Sequence, residues 1–191
     1  MTSGRLEAFS DAVVAIIMTI MVLELVPPHE ATLEALLPLW PIALAYILSF
    51  AMLAIYWNNH HHLLQAAHTV SGRVLWANMH LLFWLSLVPF GTAWIGETHF
   101  ASMPMVLYGG ILLMCAIAYY LLVRALIAAP GQTETIATAL KGDFKGRISP
   151  WIYLAAIPVA FIAPYVSFAM YIAVAAMWII PDRRIERRIA A

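Results

Sequence analysis

Residues 5–25 read RLEAFSDAVVAIIMTIMVLEL, setting Arg5, Glu7, Ser10 and Asp11 directly against an apolar run with no turn residue between them. An ionisable group in such a segment is costly in hydrocarbon and normally faces protein or water. Two further stretches carry comparable chemistry: YWNNHHHLLQ, residues 56–65, and RVLWANMH, residues 73–80. Carboxylates and histidines together suit a metal site, a proton relay or a hydrogen-bonded structural cluster. The triplet His60–His62 argues against a metal, because adjacent helical residues project about 100° apart and cannot converge on one ion as an i, i+4 pair does. Membrane di-iron enzymes use several separated histidine boxes, and His68 and His80 do not complete a second one. The single cysteine, Cys115, excludes an intrachain disulfide and a thiolate site. No metal, cofactor or enzymatic group is expected. A hydrogen-bonded cluster whose histidines respond to pH is the better reading.

Such a cluster needs membrane helices to hold it. The chain is 64% hydrophobic and 10% charged, where ordinary soluble domains carry about 25% charged residues. A mean hydropathy of +0.87 indicates a multi-spanning membrane protein. The net charge of zero makes nucleic acid an unsuitable partner. Apolar blocks lie at about 8–26, 36–57, 74–95, 104–127 and 149–180. The first has Asp11 at its start and no small-residue cleavage site after it, so it reads as a retained helix rather than a signal peptide. The last exceeds the roughly 20 residues of one crossing and contains Pro158 and Pro164. It forms either one long kinked helix or a hairpin of helices at 149–163 and 165–180.

Charge selects the hairpin. With a cytoplasmic N-terminus and six crossings, all ten lysines and arginines fall on the cytoplasmic side. With five crossings, Arg183, Arg184, Arg187 and Arg188 would lie outside, against the positive-inside rule. The expected fold is therefore an all-α integral membrane protein, one domain over residues 1–191 with six transmembrane helices and both termini cytoplasmic. No internal repeat is evident, and the loop at 128–148 has room for a short interfacial helix. The outer loops hold no Lys or Arg, but they hold Glu30, Glu34 and Glu97, with Glu24 at the outer end of the first helix. At the inner ends, Arg5, Asp11, Asn58, Asn59, His60, His61, Asn78 and His80 share one depth and can form one polar cluster.

On a helical wheel, Phe9, Ala12, Ile20 and Leu23 fall within about 40° of Ile16 and make one narrow stripe. Thr19 sits about 60° from its midline and Asp11 about 140° away. An aliphatic stripe on a membrane helix usually faces lipid or another helix, and periodicity alone assigns it nothing more. Asp11 on the opposite side makes that side a protein-packed face, unless the aspartate merely caps the helix start with Ser10.

These residues resemble a known family. Arg5, Phe9, Ser10 and Asp11 fill the four positions of the R-x-x-x-F-S-D signature on the first helix of the transmembrane protein 175 family, potassium channels of lysosomes and many prokaryotes. The segment Tyr56 to His61 is similar to the family's Trp-and-His segment on helix 2, and VPFGTAWIGE, residues 88–97, resembles the end of its third helix. The resemblance implies a homotetramer of single six-helix subunits, with helix 1 of each lining a central pore. It implies an aliphatic constriction at Ile16, then Ile20 and Leu23, with Thr19 beside it in potassium selectivity. It implies a supporting network of Arg5, Ser10, Trp57 and His60 or His61, the extra histidine leaving the register open by one. A passive potassium channel in a plasma membrane is then the expected function, with permeant potassium ions, the lipid bilayer and further copies of the chain as its partners. The alternative is a proton-permeable channel or proton-coupled transporter that uses the inner histidines. Helix 1 carries no ionisable group between Asp11 and Glu24 to continue such a relay.

Overall fold

A computed structural model describes residues 3–67, 70–129 and 144–179. The described residues are helical throughout, with no strand among them. Helix α1 spans Ser3–Ile20 and tightens into a 3-10 turn over Met21–Glu24. A second 3-10 segment, Glu34–Leu39, leads into α2, Trp40–Gln65. Then come α3, Gly72–Ser86, α4, Val88–Glu97, and α5, Ser102–Ile127. The last two are α6, Phe144–Ile162, and α7, Pro164–Ile179.

Helix ends follow local chemistry. Ser71 caps α3 by accepting from the Val74 N–H at 3.4 Å. Pro41 sits in the first turn of α2, where its missing N–H costs nothing. The expected third crossing is two helices rather than one, broken at Leu87. Pro89 is the reason: it has no N–H to return to the preceding turn, and its ring crowds the carbonyl four residues back.

The long final block doubles back at Ala163–Pro164. Trp178, near the end of α7, donates its indole N–H to Ser149 Oγ, near the start of α6, at 2.9 Å. A bond between these two ends requires antiparallel helices, so the single kinked helix is excluded. Both helices begin earlier than the expected 149 and 165, as do α1, α3 and α5 relative to their apolar blocks. Polar residues extend helices beyond the oily part, because a helix satisfies its backbone whatever its side chains. The interfacial helix anticipated within 128–148 falls largely outside the described residues.

Four stretches are long and apolar enough to cross a membrane: Ser3–Glu24, Glu34–Gln65, Gly72–Glu97 and Ser102–Ile127. Their packing is close. A Cβ on Gly96 would come within 2.6 Å of the Ile42 Cβ, so α2 and α4 meet backbone to side chain with nothing between. Gly109 of α5 likewise leaves room for the Tyr171 hydroxyl, which donates to the Met105 carbonyl at 3.1 Å. Small residues let membrane helices approach in this way and gain dispersion contacts, since lipid offers no hydrophobic drive between helices. Polar groups buried between α2, α4 and α5 pair with one another. Thr92 donates to Ser49 Oγ at 2.6 Å, and Ser49 and the Tyr108 hydroxyl lie 2.8 Å apart.

The elements segregate. α1 packs on α2, α3 and α4, whereas α5, α6 and α7 pack on one another behind α3 and α4. Among the described residues, one side of α1 is left without a neighbour.

Candidate functional site: the open face of α1 and its anchor

Helix α1 has two unlike faces. Leu6, Ser10, Val14, Ile17 and Met21 are buried against the other helices. Opposite them, Phe9, Ile16, Ile20 and Leu23 are exposed, Ile16 at 57% and Leu23 at 73%. This is the stripe that the wheel defines. The 3-10 turn after Ile20 leaves it intact, because three residues at about 120° each bring Leu23 directly over Ile20.

Thr19 is exposed on the flank of the stripe. Its hydroxyl reaches both the Ala15 and Ile16 carbonyls at 3.0 Å. The proton is thus committed to the backbone, and the oxygen turns its lone pairs outward as an acceptor. Towards the C-terminal end of α1, an open groove of about 730 Å³ runs between α1 and α4, lined by Ile16, Ile20, Glu24, Trp94 and Glu97 among others. It brings Glu24 and Glu97 to one place. Glu30 and Glu34 are exposed on the connecting segment and do not line this groove.

At the other end a polar network fixes α1 to α2 and α3. His60 Nε2 and Asn78 Oδ1 lie 2.7 Å apart, with the ring N–H donating to the amide oxygen. Asn78 Nδ2 donates to Ser10 Oγ at 2.9 Å, and Ser10 donates to the Leu6 carbonyl at 2.8 Å. The chain of donors runs one way and leaves no member unsatisfied. His60, Asn78 and Ser10 are all buried, where such a network strengthens cooperatively. Beside it, Trp57 donates its indole N–H to Asp11 Oδ1 at 2.9 Å and stacks on His61 with ring centroids 5.6 Å apart. His61 Nδ1 lies 2.8 Å from Glu7 Oε1 at ion-pair distance but off the angle of a hydrogen bond. Each carboxylate of α1 thus has its own partner on α2, Asp11 through the indole and Glu7 through the imidazole. Glu7, Asp11 and His61 also bring their ligand-type atoms within 4.8 Å of one another; all three already have those partners.

The expected inner cluster divides. Asn78, His60, His61, Trp57, Ser10 and Asp11 come together, and the register on α2 is not a choice, since His60 and His61 both take part. Arg5 is exposed and makes no hydrogen bond or ion pair with this network among the described residues. Asn59 turns its amide back to the Ile55 carbonyl at 2.8 Å. Asn58 is exposed, and His80 accepts from Trp84 at 2.9 Å. Glu7 is the member that sequence reasoning left out; its i, i+4 spacing from Asp11 on the same helix face was the available signal.

A family model described as endosomal/lysosomal potassium channel TMEM175 matches residues 5–89. A protein named as a potassium channel in Chryseobacterium sp. (strain P1-3) is 51% identical over 187 residues, covering 98% of this chain and 97% of the relative. Another so named, from Chamaesiphon minutus, is 33% identical over 180 residues, 86% of this chain and 87% of the relative. The crystal structure of a lysosomal potassium-selective channel TMEM175 homolog from Chamaesiphon minutus superposes with a TM-score of 0.79 at 32% identity, over 92% of this chain and 95% of that one.

Proposed function

The chain belongs to the TMEM175 potassium-channel family, and from that premise we propose that it is a potassium-selective cation channel: a homotetramer in which α1 of each subunit lines a central pore. The observation that carries the reading is the exposed stripe of Phe9, Ile16, Ile20 and Leu23, on a helix whose opposite face is buried and locked by the Ser10–Asn78–His60 network. One lining helix per subunit cannot enclose an axis, and closed cyclic symmetry is the common solution. Four copies of Ile16 form the constriction, an aliphatic ring that conducts while wet and closes by dewetting. Ile20 and Leu23 make wider rings above it. Thr19 offers four outward acceptor oxygens one turn from the constriction, where an ion has shed part of its hydration shell. At the outer mouth, fourfold repetition of Glu24 and Glu97 raises the local cation concentration, with Glu30 and Glu34 adding to it.

The six-crossing topology, with both termini cytoplasmic in a plasma membrane, completes the proposal. The antiparallel hairpin of α6 and α7 supports it, as does the charge pattern of the sequence, which six crossings would place with all ten basic residues on one side.

Proton transport through the inner histidines is the competing reading. The hydrogen-bonded network runs from His60 through Asn78 and Ser10 to the Leu6 carbonyl and meets no ionisable group further along the stripe. Reversal potentials of the reconstituted protein in separate potassium, sodium and pH gradients test the choice. A potential that follows potassium is expected; one that follows pH alone replaces the channel with a proton pathway.

A further inference from the structure

On the side of the bundle away from α1, a crevice of about 770 Å³ opens between α2, α5, α6 and α7. That volume lies within the range of roughly 300–1,000 Å³ typical of ligand pockets. Its floor is near mid-helix, at Met52 and Tyr153, and its mouth is at the basic end of the bundle, at Arg124 and Arg147. From Met52 to Asn59 the crevice extends about 10 Å along α2 at 1.5 Å per residue. The walls are mainly aliphatic and aromatic, and Trp151 and Tyr120 on the rim are exposed. Both arginines are exposed as well. Arg124 sits 6.0 Å from the centroid of the Tyr120 ring. Among the described residues, no carboxylate lines the crevice and neither arginine has an ion-pair partner.

We propose that this crevice binds one anionic phospholipid per subunit, with an acyl chain against Met52 and Tyr153 and the phosphate between Arg124 and Arg147. The chemistry is complementary at both ends. An apolar slot at hydrocarbon depth takes a chain, and two exposed guanidiniums at headgroup depth take a phosphate. The aromatic rim matches the belt that side chains such as Trp151 form at a membrane interface. Because α5, α6 and α7 lie away from α1, the crevice opens to the bilayer if α1 faces the pore axis. The inference rests on that reading for its outlook alone, and the measurement below does not depend on conduction.

Native mass spectrometry of the purified protein, mixed with phosphatidylglycerol and phosphatidylcholine of identical acyl chains, reads the bound lipid directly. Wild type is expected to retain one phosphatidylglycerol per subunit, preferred roughly tenfold over phosphatidylcholine. The double variant Arg124→Gln/Arg147→Gln should bring the two lipids to parity, and Arg124→Lys/Arg147→Lys should restore part of the preference. Arg73→Gln, at the same end but outside the crevice, should leave it unchanged. Ile117→Trp, which fills the slot, should reduce both lipids together. Equal retention by wild type, or a preference that survives the double Gln variant, overturns the proposal. A change in subunit number in place of lipid loss assigns the crevice to a second copy of the chain and overturns it equally.

Discussion

Ile16 and Ile17 are adjacent isoleucines with opposite environments, one 57% exposed and the other 5%. Replacing Ile16 by Asn puts an amide where the proposed ring is driest. Water is then held more readily, so single-channel conductance should rise and preference for potassium over sodium should weaken. Ile17→Asn buries an unpartnered amide among α1's neighbours and should lower folded yield without raising conductance. Paired bilayer recordings and detergent-resistant yield check both; an unchanged conductance in an assembled Ile16→Asn channel moves the constriction to Ile20 or Leu23. Asn78 is the hub of the anchor, bonded to both His60 and Ser10. Asn78→Leu leaves the buried His60 ring unpaired, at about 1–3 kcal/mol, and removes the donor to Ser10, which keeps its bond to the Leu6 carbonyl. Thermal unfolding in detergent should therefore shift several degrees downward, while an unshifted midpoint would mean that α1 is held by its apolar face alone.

Two glycines on neighbouring helices behave differently because their surroundings differ. Gly96 lies against Ile42, with no room for a Cβ, whereas Gly110 has nothing within 4 Å. Gly96→Ala must push α2 from α4, an overpacking that costs about 1–3 kcal/mol. Gly110→Ala gains helix propensity, up to about 1 kcal/mol, and meets no obstacle. The first should reduce the monodisperse fraction in size-exclusion chromatography and the second should preserve or raise it. The turn between α4 and α5 carries a related constraint. His99 and Phe100 both have left-handed backbones, with φ of 52° and 61°. Phe100 holds that conformation by burying its ring between Trp40 and Phe168, at centroid distances of 5.5 and 4.7 Å. The end of the bundle at the α4–α5 turn is thereby pinned to α2 and α7, as its opposite end is pinned by Asn78.

In the proposed assembly, further copies of the chain cover the open stripe and the groove beside it. Native mass spectrometry in mild detergent should give a tetramer; a monomer or dimer as the main species would leave the stripe to lipid. Topology has its own test. Ile189→Cys should be inaccessible to a membrane-impermeant maleimide applied outside intact cells, and labelling there would put the C-terminus outside and break the six-crossing reading.

Composition alone was enough to specify a helical membrane protein, since a bilayer allows few solutions to so apolar a chain. The stripe on α1 was also legible, because helical periodicity places Ile16, Ile20 and Leu23 on one face whatever surrounds them. The signature residues could be identified, but not their partners. That Ser10 binds Asn78, that Asp11 takes the Trp57 indole and that Arg5 stands apart depend on how α1, α2 and α3 are rotated about their axes. The break at Leu87 was not anticipated and the hairpin at Pro164 had a kinked helix as its alternative, for a related reason: proline marks where a helix can bend, and packing of the flanking helices sets whether it kinks, stops or reverses. The crevice between α2, α5, α6 and α7 had no sequence signal at all. It joins Met52, Arg124 and Tyr153, residues far apart in the chain, and exists because four packed helices leave a gap that none of them encodes alone.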